Sequence, residues 1–199
     1  WTHYYWAQSP ELQQDAAEFP ERDQAFWLHY TRRSLQAIGL PPEIAAELAP
    51  AVSAYMQEEH QGVDVLLPGA NETLQTLQQA GLRLALLTNR TQLERSYLQE
   101  LNLHSGFEVI LAAGEVASYK PEPGIFLAAL QRMSLAACQV VYVGDNYYAD
   151  VVGARRAGIQ PVLFDPQQVF EQVDCPVISD LGELPGLLNL SEDQPESEG

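Results

Sequence analysis

The sequence predicts an α/β fold: a parallel sheet with helices on its faces, preceded by a small helical region. Three observations carry this expectation. Short apolar runs alternate with amphipathic stretches of helical spacing beyond residue 61, the order that builds parallel strands joined by helical crossovers. Residues 1–60 place apolar side chains at helical intervals and show no strand pattern. With 46% hydrophobic and 19% charged residues, the chain has the composition of a folded protein, not of a disordered one.

The elements follow in order. Phe26, Trp27, Tyr30 and Leu35 mark one helical segment, and Ile44, Leu48, Val52 and Tyr55 mark a second. Gly39, Pro41 and Pro42 punctuate the two. All three tryptophans, at positions 1, 6 and 27, lie in this part and are read as a small helical core rather than a pocket. A helix over about 71–80 turns Leu74 and Leu77 inward and stops at Gly81. LRLALLT (82–88) is a short buried strand. The next helix, 91–103, opens on a Thr91–Glu94 capping box and carries Leu93, Tyr97 and Leu101 on one side. FEVILAA (107–113) is a strand or a turn into one. PEPGIFLAALQRM (121–133) puts prolines in a first helical turn and Ile125, Phe126, Ala129, Leu130 and Met133 on one face. QVVYVGD (139–145) is the clearest strand, a helix over about 148–157 stops at Gly158, and QPVLF (160–164) is another strand.

Charge is distributed unevenly. The net charge is −17, with nine arginines and a single lysine, Lys120. Residues 171–199 hold eight acids and no base, and 191–199 read as a disordered acidic tail; residues 61–170 are nearly balanced at −3. The overall acidity argues against nucleic acid or an anionic membrane as partner, since both require clustered Lys and Arg. No apolar run approaches the roughly 20 residues of a membrane span. Cys138 and Cys175 lack CxxC spacing, and His3, His29, His60 and His104 lack metal-ligand spacing. Reduced thiols and a cytoplasmic location are expected.

Three polar groups stand at the carboxyl ends of the apolar runs: Thr88-Asn89, Asp145-Asn146 with Asp150, and Lys120 on the loop entering the 121–133 helix. Singly, each reads as a capping turn, a solvated loop or a first-turn acid. Together, at the strand edge where α/β sheets bind ligands, they supply a hydroxyl, an ammonium and two carboxylates. Phosphoryl transfer uses such a set: donors on the phosphate oxygens and acids for Mg²⁺.

The stretches PGANETLQTLQQAGLRLALLTN (68–89), SYKPEPGIFLAALQRM (118–133) and VVYVGDNYYADVVGARRAGI (140–159), in this order, resemble the haloacid dehalogenase superfamily, in particular its phosphatase-like members with a helical cap inserted early. The resemblance implies a Rossmann-like parallel sheet over 61–190, with 1–60 as most of the cap. It also implies a role for each polar group. Thr88 is the phosphate-binding hydroxyl, and Asn89 beside it holds the substrate phosphate together with Thr88 and Lys120. Lys120 steadies nucleophile and phosphoryl group, Asp145 is a Mg²⁺ ligand, and Asp150 is the second acid, acting through water or by orienting neighbours. Arg90 departs from the small residue usual after Thr-Asn.

The superfamily's first motif, an apolar strand ending in DxDx[TV], is absent from these 199 residues; Asp64-Val65 and Asp165-Pro166 do not fit it. That strand lies centrally in the family's sheet, between the strands ending at Thr88 and Gly144. Without it those strands either pair with each other or leave a cleft. The expectation is an N-terminally truncated Mg²⁺-dependent phosphatase of a small phosphomonoester, working through an aspartyl-phosphate, monomeric or homodimeric, and inactive as the chain stands. The competing readings are a metal-independent 2-haloacid dehalogenase and a non-catalytic binding protein derived from a phosphatase. A receiver domain is disfavoured, because its acids precede its Thr and Lys.

Overall fold

Ser9, between two helices, shows how the first part of the chain folds. Its hydroxyl donates to the carbonyl of Tyr5 at 3.1 Å and accepts from the Leu12 N–H at 3.0 Å, closing α1 (Thr2–Gln8) and capping α2 (Pro10–Glu18) at once. Pro10 follows in the first turn, where its missing N–H costs nothing. The computed structural model describes residues 1–19, 24–58, 65–93, 95–101, 103 and 106–190, divided into two units, Trp1–Asp64 and Val65–Gly199. The acidic tail 191–199, Glu94 of the capping pair, Asp64, His60 and His104 lie outside the described residues.

The first unit continues with α3 (Gln24–Ala37) and α4 (Pro42–Glu58), which pack on each other. Its core is aromatic, but the expected tryptophan core is corrected: Trp1 and Trp27 are exposed and Trp6 is half-buried, because the smaller rings of Tyr5 and Phe26 take the interior. Tyr5 and Phe26 are fully buried, and the rings of Trp6 and Tyr30 lie 5.2 Å apart, those of Phe26 and Trp27 5.3 Å. On α4 the expected stripe is corrected. Ile44, Leu48 and Tyr55 are exposed, while Ala45, Ala49 and Ser53 at the same spacing face inward. Small side chains on the inward face let α4 approach α3 closely.

The second unit runs α5 (Ala70–Gln79), β1 (Ala85–Thr88), α6 (Arg95–Glu100), β2 (Val109–Ala112), α7 (Ala113–Val116), α8 (Gly124–Met133) and β3 (Val141–Gly144). It then runs through a π-helical turn (Tyr147–Val151) into α9 (Val152–Arg156), β4 (Gln160–Phe164), β5 (Val177–Ile178) and α10 (Leu184–Leu187). All strand pairs are parallel. The five inward residues expected on α8 are all buried, against Val109 and Leu111 of β2.

Several boundaries differ from expectation. The expected buried strand 82–88 begins at Ala85 and is only half-buried, and the expected strand 139–145 narrows to 141–144. Helix α8 begins at Gly124, after the prolines, because residues preceding a proline avoid helical backbone, and Lys120 and Glu122 both do so. Helix α6 is short and buries Leu98, leaving Leu93, Tyr97 and Leu101 only half-buried. Helix 148–157 opens as a π-turn, where the Asn146 side chain accepts from the N–H groups of Tyr148 and Ala149, each at 3.1 Å.

The sheet is in two pieces, β1–β2 and β3–β4–β5; among the described residues no ladder joins β1 to β3. Of the two outcomes expected for an absent central strand, pairing of those edges is not the one adopted. Burial follows: β2 and β4 hold fully buried residues such as Leu111 and Leu163, whereas every residue of β1 stays partly accessible and Val141 of β3 is 39% exposed. In a continuous parallel sheet, β1 and β3 would be interior strands and the best buried.

Candidate active site

The residues at the ends of β1 and β3 meet around Lys120. Its ammonium lies 2.6 Å from Asp150 Oδ1 and 3.0 Å from the Tyr142 hydroxyl. That hydroxyl in turn donates to Asp150 Oδ1 at 3.2 Å, so the three polar groups form a closed triangle. The other Asp150 oxygen accepts from the Asn146 N–H at 2.9 Å. Both side chains are well shielded, with 12% of Lys120 and 3% of Asp150 exposed. Gly144 makes this possible: a Cβ at 144 would overlap the Asp150 carboxyl carbon, so only glycine lets the carboxylate fold back over the end of β3.

Charge balance inside the triangle is decided by proximity. Burial alone would pull the Lys120 ammonium down, but Tyr142 and Asp150 beside it outweigh that and hold it above the ordinary lysine range. Burial and the neighbouring Asp150 charge push the Tyr142 phenol up. Lys120 is therefore a fixed cation and Tyr142 a fixed hydroxyl at any physiological pH.

Asn89 works on the main chain instead. Its side-chain amide donates to the Lys120 carbonyl at 3.0 Å and accepts from the Lys120 N–H at 2.7 Å. The amide oxygen and one N–H are spent on the backbone of the loop that carries the lysine, which places Asn89 as a clasp between the end of β1 and that loop. Thr88 is half-buried, and its Oγ1 accepts from the Arg90 N–H at 3.3 Å. Arg90 itself lies over the Tyr97 ring at 4.7 Å and donates to its hydroxyl at 3.3 Å, which directs its charge onto α6. Asp145 is exposed and makes no side-chain hydrogen bond among the described residues.

For a divalent cation the two acids are thus unequal. Magnesium is commonly held by one or two carboxylates together with waters and substrate phosphate oxygens. Asp145 fits a single such ligand. Asp150 has both oxygens committed to Lys120, Tyr142 and Asn146, so its geometry is that of an orienting acid. No cluster of three His, Cys, Asp or Glu side chains suited to a metal occurs among the described residues.

Tyr142 is the site residue that sequence reasoning missed. A signal was present: it stands two residues before Gly144, on the same face of the strand, and a buried phenol needs a hydrogen-bond partner. Other acids and histidines have partners of their own. Asp165 caps the N–H groups of Val169 and Phe170, and His29 joins the buried Asp15 in the first unit.

A family model described as haloacid dehalogenase-like hydrolase matches residues 18–164, most of the chain. The chain is 36% identical over 143 residues to a ribulose-1,5-bisphosphate 5-phosphatase of Halopiger xanaduensis, covering 70% of this chain and 58% of that protein. It is 37% identical over 147 residues to a phosphoserine phosphatase of Thermus thermophilus, covering 73% and 55%. The chain therefore spans a little over half the length of these curated relatives. Among solved structures, a 2-haloacid dehalogenase from Pseudomonas syringae superposes with a TM-score of 0.58 at 26% identity, covering 94% of this chain and 80% of that one. A phosphatase of the same superfamily from Thermococcus onnurineus reaches 0.60 at 21% identity over 82% and 89%, a likeness of fold.

Proposed function

This chain belongs to the haloacid dehalogenase-like hydrolase family, and from that premise we propose that the protein hydrolyses a small phosphomonoester with the help of Mg²⁺. The observation that supports this reading is the shielded Lys120 ammonium held by Asp150 and Tyr142, with Thr88 ending β1 and Asp145 following β3, two strands that no ladder joins among the described residues. An ammonium held by an acid and a phenol is a rigid point charge, suited to phosphoryl oxygens that gather charge as the ester bond breaks. The Thr88 hydroxyl donates to a second oxygen. Asn89 acts through the Lys120 backbone. Asp145 would hold the metal ion, which when bound neutralises phosphate charge and helps to align it for attack. The attacking carboxylate belongs to the DxDx[TV] strand, which these 199 residues do not contain, and the unpaired edges of β1 and β3 are where such a strand fits.

Phosphate release from a generic phosphomonoester with Mg²⁺ tests this, in the 199-residue chain and in the same chain preceded by an apolar DxDx[TV] strand. Turnover is expected only with the strand. Turnover without it, or none with it, overturns the reading.

A second reading, 2-haloacid dehalogenase, is favoured by the Pseudomonas syringae likeness. Halide release by the strand-completed chain that persists in a chelator would establish it in place of the first. The paired acids Asp145 and Asp150 favour the phosphatase.

A further inference from the structure

We propose that Tyr142 is a positioning residue for Lys120, its hydroxyl fixing the direction in which the ammonium meets a bound oxyanion. The proposal rests on the reading of Lys120 as the cation that contacts the phosphoryl group. A lysine ammonium has three N–H donors on a flexible four-carbon stem, and one ion pair does not fix where they point. Here two are assigned, one to Asp150 at 2.6 Å and one to Tyr142 at 3.0 Å. Two anchors at an angle leave the third N–H one direction, whereas a single anchor leaves rotation about it.

The anchors are themselves held. Asp150 is pinned through its second oxygen by the Asn146 N–H at 2.9 Å. The Tyr142 ring stands edge-on to Phe126, centroids 4.9 Å apart, and Phe126 is fully buried among the inward residues of α8. The phenol donates its own proton to Asp150, so its oxygen lone pairs are free for the lysine. Phenylalanine at 142 would keep the ring against Phe126 and remove only the second anchor.

Lys120 is the one lysine in the sequence, so lysine labelled at the ε position gives a single side-chain resonance from this site. In Y142F, the Lys120 resonance should shift and sharpen toward that of a mobile lysine, while the melting midpoint stays near wild type. Inorganic phosphate should bind roughly tenfold more weakly, the loss of one bond to a charged group. F126L loosens the ring but leaves the hydroxyl; it should melt lower and keep the wild-type Lys120 resonance. An unchanged Lys120 resonance in Y142F overturns the proposal. So does an equal displacement in F126L, because packing alone then explains the effect, and so does failure of Y142F to fold. If phosphate leaves the wild-type resonance unmoved, the phosphoryl reading of Lys120 falls instead, while the ligand-free resonance of Y142F still decides whether the hydroxyl positions the lysine.

Discussion

Each unit of this protein buries one aspartate against a tyrosine hydroxyl and a cation, and the two differ in what stands in reserve. In the helical unit, Asp15 is fully buried and accepts from Tyr5 at 2.7 Å, from Arg33 at 2.8 Å, and meets His29 Nε2 at 3.1 Å. In the α/β unit, Asp150 is 2% exposed and has Lys120, Tyr142 and one backbone N–H. The first network has a second basic side chain beside its acid, His29; the second has one cation among the described residues. The Asp15 cluster is a structural joint between α1, α2 and α3. The Asp150 cluster holds Lys120, on the loop entering α8, the cation proposed above to meet a phosphoryl group.

Removing the cation from each network should separate them most. Lys120→Met strands a buried carboxylate and should cost about 3–5 kcal/mol, read by urea unfolding followed by far-ultraviolet circular dichroism. Arg33→Met should cost roughly half that, because His29 remains and Arg33 is partly exposed to screening solvent. Tryptophan fluorescence reads the Arg33 variant selectively, since positions 1, 6 and 27 all lie in the helical unit. Equal losses would erase the distinction between a backed and an unbacked network.

Gly144→Ala should come next, at about 1–3 kcal/mol for overpacking, with displacement of the Lys120 resonance as Asp150 is pushed off the end of β3. A silent Lys120 resonance would mean that the carboxylate has another seat.

Acid should act on Asp15. Burial alone would raise this carboxyl, but the bonds from Arg33 and Tyr5 outweigh it and hold it below its ordinary value of 3.8. The folded chain therefore keeps Asp15 charged where the unfolded chain is already protonated. The stability so gained is complete above the unfolded value and drains away as the pH falls through the folded one. Tryptophan-monitored stability should fall below about pH 4, and Asp15→Asn should flatten that slope while lowering stability at neutral pH. An unchanged slope would exclude Asp15 as its source.

The smallest change in stability should come from Thr88→Val, within about 0.5 kcal/mol, accompanied by a roughly tenfold loss of phosphate affinity. A variant that binds phosphate like wild type would take the hydroxyl out of the site.

Much of the fold was legible because it is written in local periodicity. The inward face of α8 follows from apolar spacing at Ile125, Phe126, Ala129, Leu130 and Met133, and β4 from the run QPVLF. On α4 the same reasoning chose the wrong stripe, since apolar bulk does not say which face a neighbouring helix covers, and Ala45 and Ala49 are the ones inward. In the site, the residue types at the strand ends pointed to Thr88, Lys120 and the two acids, but not to their partners. Asn89 bonds through its amide to the Lys120 backbone, 31 residues away in sequence, a partner that no local pattern names.

The sequence by itself determined the alternation of strands and helices, the strand ends where polar groups collect, and the single lysine among nine arginines. These are local properties, set by backbone propensity and by which side of an element is apolar. Only the tertiary structure decided that β1 and β3 stay unpaired, that Asp150 turns back over Gly144, and that Tyr142 closes the triangle with Lys120. A hydrogen bond between side chains 22 or 30 residues apart depends on where packing leaves each donor, and no local pattern carries that information.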